Sequence, residues 1–175
     1  MSKKTLIIIF ISALITLYIL YNYAPFIQNP RIMSEVNRKI EQASLKEAVV
    51  NKEIITRINS NGLIVYVVEI NTNDTKYYAF IEKKTTLGFN INYQTISLLS
   101  DKGDVEVSYK KDRLCILGIK ASDSITTIRL FLEYDESSNR FIDVDISNSR
   151  YFFYYAEKGL KNEILVDYEL LENPK

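Results

Sequence analysis

The chain has 175 residues, with 22 basic and 22 acidic side chains, one Cys and no His. Without His, imidazole is excluded as a catalytic base or metal ligand, and a single Cys supplies neither an internal disulfide nor a zinc site. Residues 31–175 carry 20 basic and 22 acidic side chains with no basic stripe, so we expect no nucleic acid partner. We also expect no cofactor.

The stretch TLIIIFISALITLYILYNY, Thr5 to Tyr23, predicts a membrane-spanning helix. Its strongly apolar part would rise about 24 Å as a helix, and about 28 Å with its flanks, close to a hydrocarbon core of about 30 Å. The exit LYNYAPF lacks the small residues of a signal-peptide cleavage site, so we expect a retained anchor. The predicted anchor residues are Leu6, Ile7, Ile8, Ile9, Phe10, Ile11, Leu14, Ile15, Leu17, Tyr18, Ile19, Leu20 and Tyr21.

The charges that flank this stretch bear on its orientation. Lys3, Lys4 and the terminal amine favour a cytoplasmic N terminus, although Arg31, Arg38 and Lys39 nearly balance them on the other flank. We therefore expect a single-pass protein of the cell membrane, with its N terminus inside and its C-terminal domain outside the cytoplasm. The alternative, a buried helix of a soluble protein, is disfavoured because the stretch has no polar face.

An amphipathic helix is predicted over roughly residues 31–49. Asn29-Pro30 resembles a helix start, with Asn as the N-cap and Pro in the first helical position. Apolar residues then recur at helical spacing and leave charged residues on the other faces. These apolar residues form one stripe that consists of Ile32, Val36, Ile40, Ala43 and Val50. The stripe packs either on the rest of the domain or on another chain. Val36, Ile40 and Ala43 are the candidate interface residues.

The rest of the chain predicts about ten short strands separated by turn residues. LIVYVVEI is apolar on both faces, as in a central strand, whereas TTIRLFLEY and FIDVDI alternate apolar and polar residues. We expect a mainly β fold, an antiparallel β-sandwich or a barrel-like sheet. The predicted organisation is a basic tail (1–4), a transmembrane helix (5–23), a juxtamembrane segment (24–50) and an extracytoplasmic β-rich domain (51–175).

Three features are candidates for chemistry, and each has a simpler structural interpretation. Cys115 has apolar neighbours in RLCILGI, which predicts a buried thiol with a raised pKa. In DESSNRFIDVD, Asp135, Ser137 and Asn139 fit a calcium loop, but Arg140 replaces the required Gly, so a hairpin is favoured. YFFYYA could be an aromatic platform, but its six residues also suit both faces of a packed strand.

The order of these features, with the segments NGLIVYVVEI, KYYAFIEKKTTLGFNINY, RLCILGIKASDSITTIRL and RYFFYYAEKG, resembles small membrane-anchored proteins of Bacillus and related Firmicutes. The resemblance covers most of residues 34–170. It implies a single span and a β-rich domain outside the cytoplasmic membrane, and it brings no known activity or catalytic residue. Gly62, Gly88 and Gly118 at the matched positions are expected to be structural.

Three functions are compatible with this sequence. The first is a non-enzymatic, membrane-tethered domain that binds a protein or a cell-envelope component. The second is a structural subunit that joins a membrane complex through the amphipathic helix. The third is a cell-wall hydrolase that uses a pair of carboxylates, although most Asp and Glu fall on the polar phase of alternating strands.

Overall fold

A computed structural model describes residues 3–23, 25–43, 48–86, 90–110, 113–134, 138–157 and 163–172. These residues form two helices followed by ten strands, so the fold is mainly β, as predicted. The elements are α1 (Lys3–Tyr23), α2 (Pro25–Ala43), β1 (Val49–Ser60), β2 (Leu63–Thr72), β3 (Lys76–Thr86), β4 (Asn90–Ser100), β5 (Val105–Lys110), β6 (Arg113–Ile119), β7 (Ile125–Tyr134), β8 (Ser138–Asp145), β9 (Tyr151–Glu157) and β10 (Glu163–Glu172).

The bounds predicted for the amphipathic helix are wrong at both ends. The helix α2 begins at Pro25, and Pro30 lies inside it. A Pro in the first helical position costs no hydrogen bond, and Pro25 rather than Pro30 occupies that position. At the other end the chain has already entered β1, where Val49 pairs with Thr72 and Val50 is exposed. β-branched residues favour this extended backbone over a longer helix.

The strands form three antiparallel sheets. Sheet A has the order β1-β2-β3-β4, sheet B has the order β5-β6-β9, and sheet C has the order β10-β7-β8. Each sheet of the described strands is open and has two edge strands, so the barrel-like alternative is wrong for these residues. Asn61 and Gly62, with φ of 48° and 82°, form the tight turn between β1 and β2 that an Asn-Gly pair favours.

Alternating side chains join these layers into one stack. On one face of sheet A, Tyr66 and Val68 pack against Ile32 and Val36 of α2. On the opposite face, a second cluster joins sheet A to sheet B through residues such as Phe80, Leu117 and Phe153. The other face of sheet B packs on sheet C in a third cluster. This third cluster consists of Leu114, Ile116, Ile125, Ile128, Leu130, Leu132, Val144, Ile146 and Phe152.

The strand predictions from side-chain alternation are confirmed where the structure describes them. The strand β2 is an inner strand of sheet A, with Val65 and Val67 on one face and Tyr66 and Val68 on the other. YFFYYA contributes to both faces of sheet B, as β9. Gly118 is structural, because a Cβ there would lie 2.5 Å from Cζ of Phe152, whereas Gly88 falls outside the described residues.

Candidate functional site

The predicted anchor residues lie on α1, a helix long and apolar enough to cross a membrane. Its apolar window, Lys3–Leu20, is not covered by any other part of the described chain. Leu6, Ile8 and Phe10 are 59%, 66% and 63% exposed, and the exposure continues around every face of the helix. A buried helix of a soluble domain would have one face covered. Tyr21 belongs to α1, but its side chain lies outside the described part.

The three candidate interface residues on α2 have different environments. Val36 is fully buried against sheet A, Ile40 is partly buried beside the same cluster, and Ala43 is exposed at the last position of the helix. The side of α2 that carries Val36 and Ile40 is therefore occupied by the domain's own sheet. The side that remains accessible is polar, with Asn37 and Arg38 among its residues.

Polar contacts hold α2 on sheet A along its length. The Tyr66 hydroxyl donates to Oε1 of Gln28 at 3.0 Å. Glu35 accepts from the backbone N–H of Thr95 at 2.9 Å and from the Thr95 hydroxyl at 3.1 Å. Arg38 donates two further hydrogen bonds to the Glu35 carboxylate, at 2.6 and 2.8 Å, and keeps the pKa of Glu35 below its ordinary value.

Cys115 and the acidic segment between β7 and β8 were the candidates for chemistry, and their described parts have structural roles. Cys115 is partly buried between sheets A and B, and burial raises the pKa of its thiol to about 12. A thiol with this pKa is almost entirely protonated at neutral pH and is a poor nucleophile.

Antiparallel pairing of Tyr134 with Ser138 confirms the hairpin between β7 and β8. Asp135 and Ser137, two positions of the candidate calcium loop, lie outside the described residues, and the described residues contain no group of three potential metal ligands.

Four carboxyl groups of the described chain have a shifted pKa, and the direction of the shift bears on the hydrolase hypothesis. Glu35, Glu69, Asp143 and Asp145 have a pKa that departs clearly from the ordinary value, and in each it is lowered. For Asp143 the cause is the hydrogen bond from Arg129, and for Asp145 it is the hydrogen bonds from Ser147. A general acid needs a raised pKa so that it holds a proton at neutral pH. These four groups are suited to hydrogen bonding and ion pairing instead.

The outer face of sheet C is the most distinctive exposed surface. Phe131 of β7 and Phe141 of β8 are direct cross-strand partners and are 37% and 59% exposed. Beside them, Arg129 donates to both carboxylate oxygens of Asp143 at 2.7 and 2.8 Å. The Arg129 guanidinium also lies 4.6 Å from the centroid of the Phe141 ring. These contacts hold the Phe141 ring on the surface beside a cation.

Carboxylates surround this aromatic pair. The cross-strand register places Glu169 opposite Arg129, and Asp167 opposite Phe131. Glu133, Asp143 and Asp145 lie on the same outward phase of β7 and β8 and are also exposed. Five carboxylates and one guanidinium therefore lie around two exposed aromatic rings. We call this surface, formed by Arg129, Phe131, Glu133, Phe141, Asp143, Asp145, Asp167 and Glu169, the distal face.

The side-chain alternation predicts the charged residues of the distal face. Its two central aromatic residues were not singled out in the prediction, although a signal for them is present. Arg129, Glu133, Asp143 and Asp145 are the polar residues of the alternating segments TTIRLFLEY and FIDVDI, and all four lie on the outward phase of their strands. Phe131 lies between Arg129 and Glu133 in the sequence, and Phe141 lies two residues before Asp143. An aromatic residue on the polar phase of two paired strands is the signal that identifies this surface.

Comparison of the chain with protein-family models, with curated protein sequences and with solved structures finds no match.

Proposed function

We propose that this chain is a membrane-anchored, non-enzymatic β domain that binds a partner protein through its distal face. The observation that carries the proposal is the exposed cross-strand pair Phe131 and Phe141, surrounded by carboxylates. Exposed aromatic groups with a polar rim are typical of protein interfaces, where they act as anchors in pockets of the partner. The charge of the rim favours a partner with basic and apolar groups on its binding surface.

The layered sheets support a sandwich-type domain. The exposed apolar helix α1 supports a single membrane span that carries this domain. The short basic tail favours an N terminus in the cytoplasm and a domain on the outside. In this arrangement α2 lies next to the anchor, and sheet C is the layer farthest from α2. The distal face is then directed away from the attachment point, where a protein or another envelope component can reach it. The resemblance to membrane-anchored proteins of Firmicutes supports the same arrangement.

Site-specific crosslinking tests the proposed interface. A photoreactive amino acid is placed at Glu133, beside the aromatic pair, in the full chain expressed in a Gram-positive host. The same group at Val50, which is 67% exposed on β1, is the control position. The expected result is a defined adduct from position 133 that is absent from position 50 and from a chain that carries only the anchor.

Substitution then tests whether the aromatic pair causes the binding. Phe131→Ala with Phe141→Ala should remove the adduct while lowering the free energy of unfolding by about 1–2 kcal/mol, because Phe141 is 59% exposed and Phe131, at 37%, is only partly covered. Val50→Ala is the matched control and should leave the adduct unchanged. An adduct that persists in the double variant, or no adduct at position 133, would overturn the proposed interface.

A further inference from the structure

The strand β8 is an outer strand of sheet C, and its free edge is regular. An edge strand presents unpaired backbone N–H and C=O groups that can pair with another strand. The strand order in sheet C is β10-β7-β8, so among the described strands β8 has a neighbour on one side only. Its eight pairs with β7 follow one another without a register shift. The free edge of β8 therefore presents backbone groups at even spacing.

Other edge strands of the fold are interrupted, bound or short. Register shifts interrupt both β1 and β10. On β9, the Tyr155 N–H donates to Oγ of Ser60, and the Tyr155 C=O accepts from Nδ2 of Asn61. On β4, the Thr95 N–H donates to Glu35, and β5 has only six residues. Bulges, covering groups and shortness all protect a sheet edge from pairing. By contrast, β8 has eight residues in one unbroken register.

The hydrogen-bonding pattern identifies the backbone groups that face the free edge of β8. The Ile146 N–H, just beyond β8, donates to the Thr126 C=O at 2.8 Å. Hydrogen-bonded and non-hydrogen-bonded pairs alternate along an antiparallel ladder. Phe141 and Asp143 therefore belong to non-hydrogen-bonded pairs with β7. Their N–H and C=O groups point away from β7, toward the free edge, while both residues lie on the distal face.

A second copy of β8 fits this edge in an antiparallel arrangement. A twofold axis through Phe141 places this residue opposite its own copy and allows about six backbone hydrogen bonds between the two strands. Asp143 is then opposite Asn139 of the second copy. An axis through Asp143 would instead place two like charges opposite each other, which is destabilising. The axis through Phe141 also adds an aromatic cross-strand pair, which stabilises a sheet.

The layers of the fold agree with this twofold axis. The helix α2, sheet A, sheet B and sheet C are stacked in that order, and the distal face is outermost. A twofold axis perpendicular to sheet C runs along the stacking direction, so both copies have α2 on the same side. Two copies joined in this way can hold their α1 helices in one membrane. Confinement to that membrane also raises the local concentration of the two copies.

We propose that two copies of this chain associate through the free edges of their β8 strands. The two three-stranded sheets then form one continuous sheet of six strands. Phe131, Phe141 and their two copies form a row of exposed rings across this sheet, so the second copy completes the binding surface of the distal face. The inference rests on the anchor and the distal face of the proposed function, and it adds that the partner meets a surface made by two chains.

Disulfide trapping tests the position of the twofold axis. Cys115→Ala removes the native thiol, Phe141→Cys is added, and the full chain is reconstituted into bilayers and treated with a mild oxidant. Residues of a hydrogen-bonded antiparallel pair have Cα atoms about 5.5 Å apart, within the range of a disulfide. The expected result is a disulfide-linked dimer, because the backbone pairing does not need the Phe141 ring.

Phe131→Cys in the same Cys115→Ala background is the matched control. It makes the same substitution on the same face, but the two copies of Phe131 would lie three strand spacings, or about 14 Å, apart. A disulfide cannot join residues at that distance, so this variant should remain monomeric under oxidation. Equal crosslinking of the two variants, or no crosslinking of Phe141→Cys, would overturn the proposal.

Energy transfer in bilayers needs no substitution and covers the case of a variant that does not fold. Full chains labelled after Lys175 with a donor or an acceptor dye should show more transfer than chains that carry only the anchor. Asp143→Pro should lower the transfer to the level of the anchor, because it removes an N–H of the free edge and no hydrogen bond to β7. Asp143→Ala removes the same carboxylate but keeps the N–H, and it should retain most of the transfer.

Two results of the energy transfer would contradict the dimer: transfer no greater than that of the anchor alone, or transfer that persists in Asp143→Pro. No other protein is present in these bilayers, so either result would leave the proposed partner of the distal face in place. Conversely, a trapped dimer in bilayers with no adduct from position 133 in cells would overturn the partner and leave the dimer.

Discussion

The tyrosines Tyr66 and Tyr93 are neighbours in the structure but have different hydrogen bonding. Their rings meet edge to face with centroids 6.0 Å apart. The Tyr66 hydroxyl donates to Gln28, whereas the Tyr93 hydroxyl is buried and has no hydrogen-bond partner among the described residues. An unpaired buried hydroxyl opposes folding, and a paired one adds to stability.

Removal of each hydroxyl should therefore have a different effect on the free energy of unfolding. Tyr66→Phe should lower it by about 1–2 kcal/mol, because the hydrogen bond to Gln28 is lost. Tyr93→Phe should leave it unchanged or raise it by up to about 1 kcal/mol. Chemical unfolding of the full chain in one detergent, followed by circular dichroism, compares the two. A Tyr93→Phe variant as unstable as Tyr66→Phe would show that the Tyr93 hydroxyl has a partner.

Glu35 joins the helix α2 to the strand β4. Glu35→Ala removes the acceptor for the Thr95 N–H and hydroxyl and for the two Arg38 donors. The part-buried Thr95 N–H then has no partner from α2, so the free energy of unfolding should fall by about 1–3 kcal/mol. Glu41→Ala, at an exposed position on the same helix, is the control and should change it by less than about 0.5 kcal/mol.

The same contact predicts a pH dependence. The pKa of Glu35 is lowered in the folded protein, first by its hydrogen bond with Arg38, so its contribution to stability is present above the unfolded value of about 4.5. That contribution is lost as the pH falls from this value through the lower folded pKa. The difference in unfolding free energy between the unmodified chain and Glu35→Gln should therefore shrink below about pH 4.5. A difference that stays constant down to the acid transition would contradict this assignment.

Most of the strands could be predicted because their signal is local. The side-chain period of two identifies β2, β7 and β8 without knowledge of any distant residue. The ends of α2 and the bond between Glu35 and Thr95 could not be predicted in the same way. The bond joins residues 60 positions apart, which no local pattern encodes. The ends of α2 follow instead from a choice between local signals, since both Pro25 and Pro30 suit a first helical position and Val49 already belongs to a strand. The aromatic pair of the distal face could have been predicted, since its two residues stand on the polar phase of their strands.

The acidic and basic residues are equal in number in the sequence but are distributed unevenly between the two outer sides of the fold. Among the described residues, the helix-covered side of sheet A, with α2, carries six basic and two acidic residues: Arg31, Arg38, Lys39, Lys52, Arg57 and Lys83 with Glu35 and Glu41. The distal face carries one basic and five acidic residues. A basic side joined to the proposed anchor and an acidic opposite side favour one orientation of the domain on an anionic membrane.

We expect the orientation of the chain in a membrane to depend on a small difference in charge across the proposed anchor. Lys3 and Lys4 favour a cytoplasmic N terminus, whereas Arg31, Arg38 and Lys39 on the other flank favour the opposite orientation. In intact protoplasts, external protease should therefore remove a tag placed after Lys175. Lys3→Glu with Lys4→Glu should protect the tag in a large fraction of molecules, because the remaining basic residues then favour the opposite orientation. Lys76→Glu with Lys102→Glu makes the same charge change within the folded domain and should leave the tag accessible. Protection of the tag in the unmodified chain would place the domain in the cytoplasm, and the distal face would then meet a cytoplasmic partner.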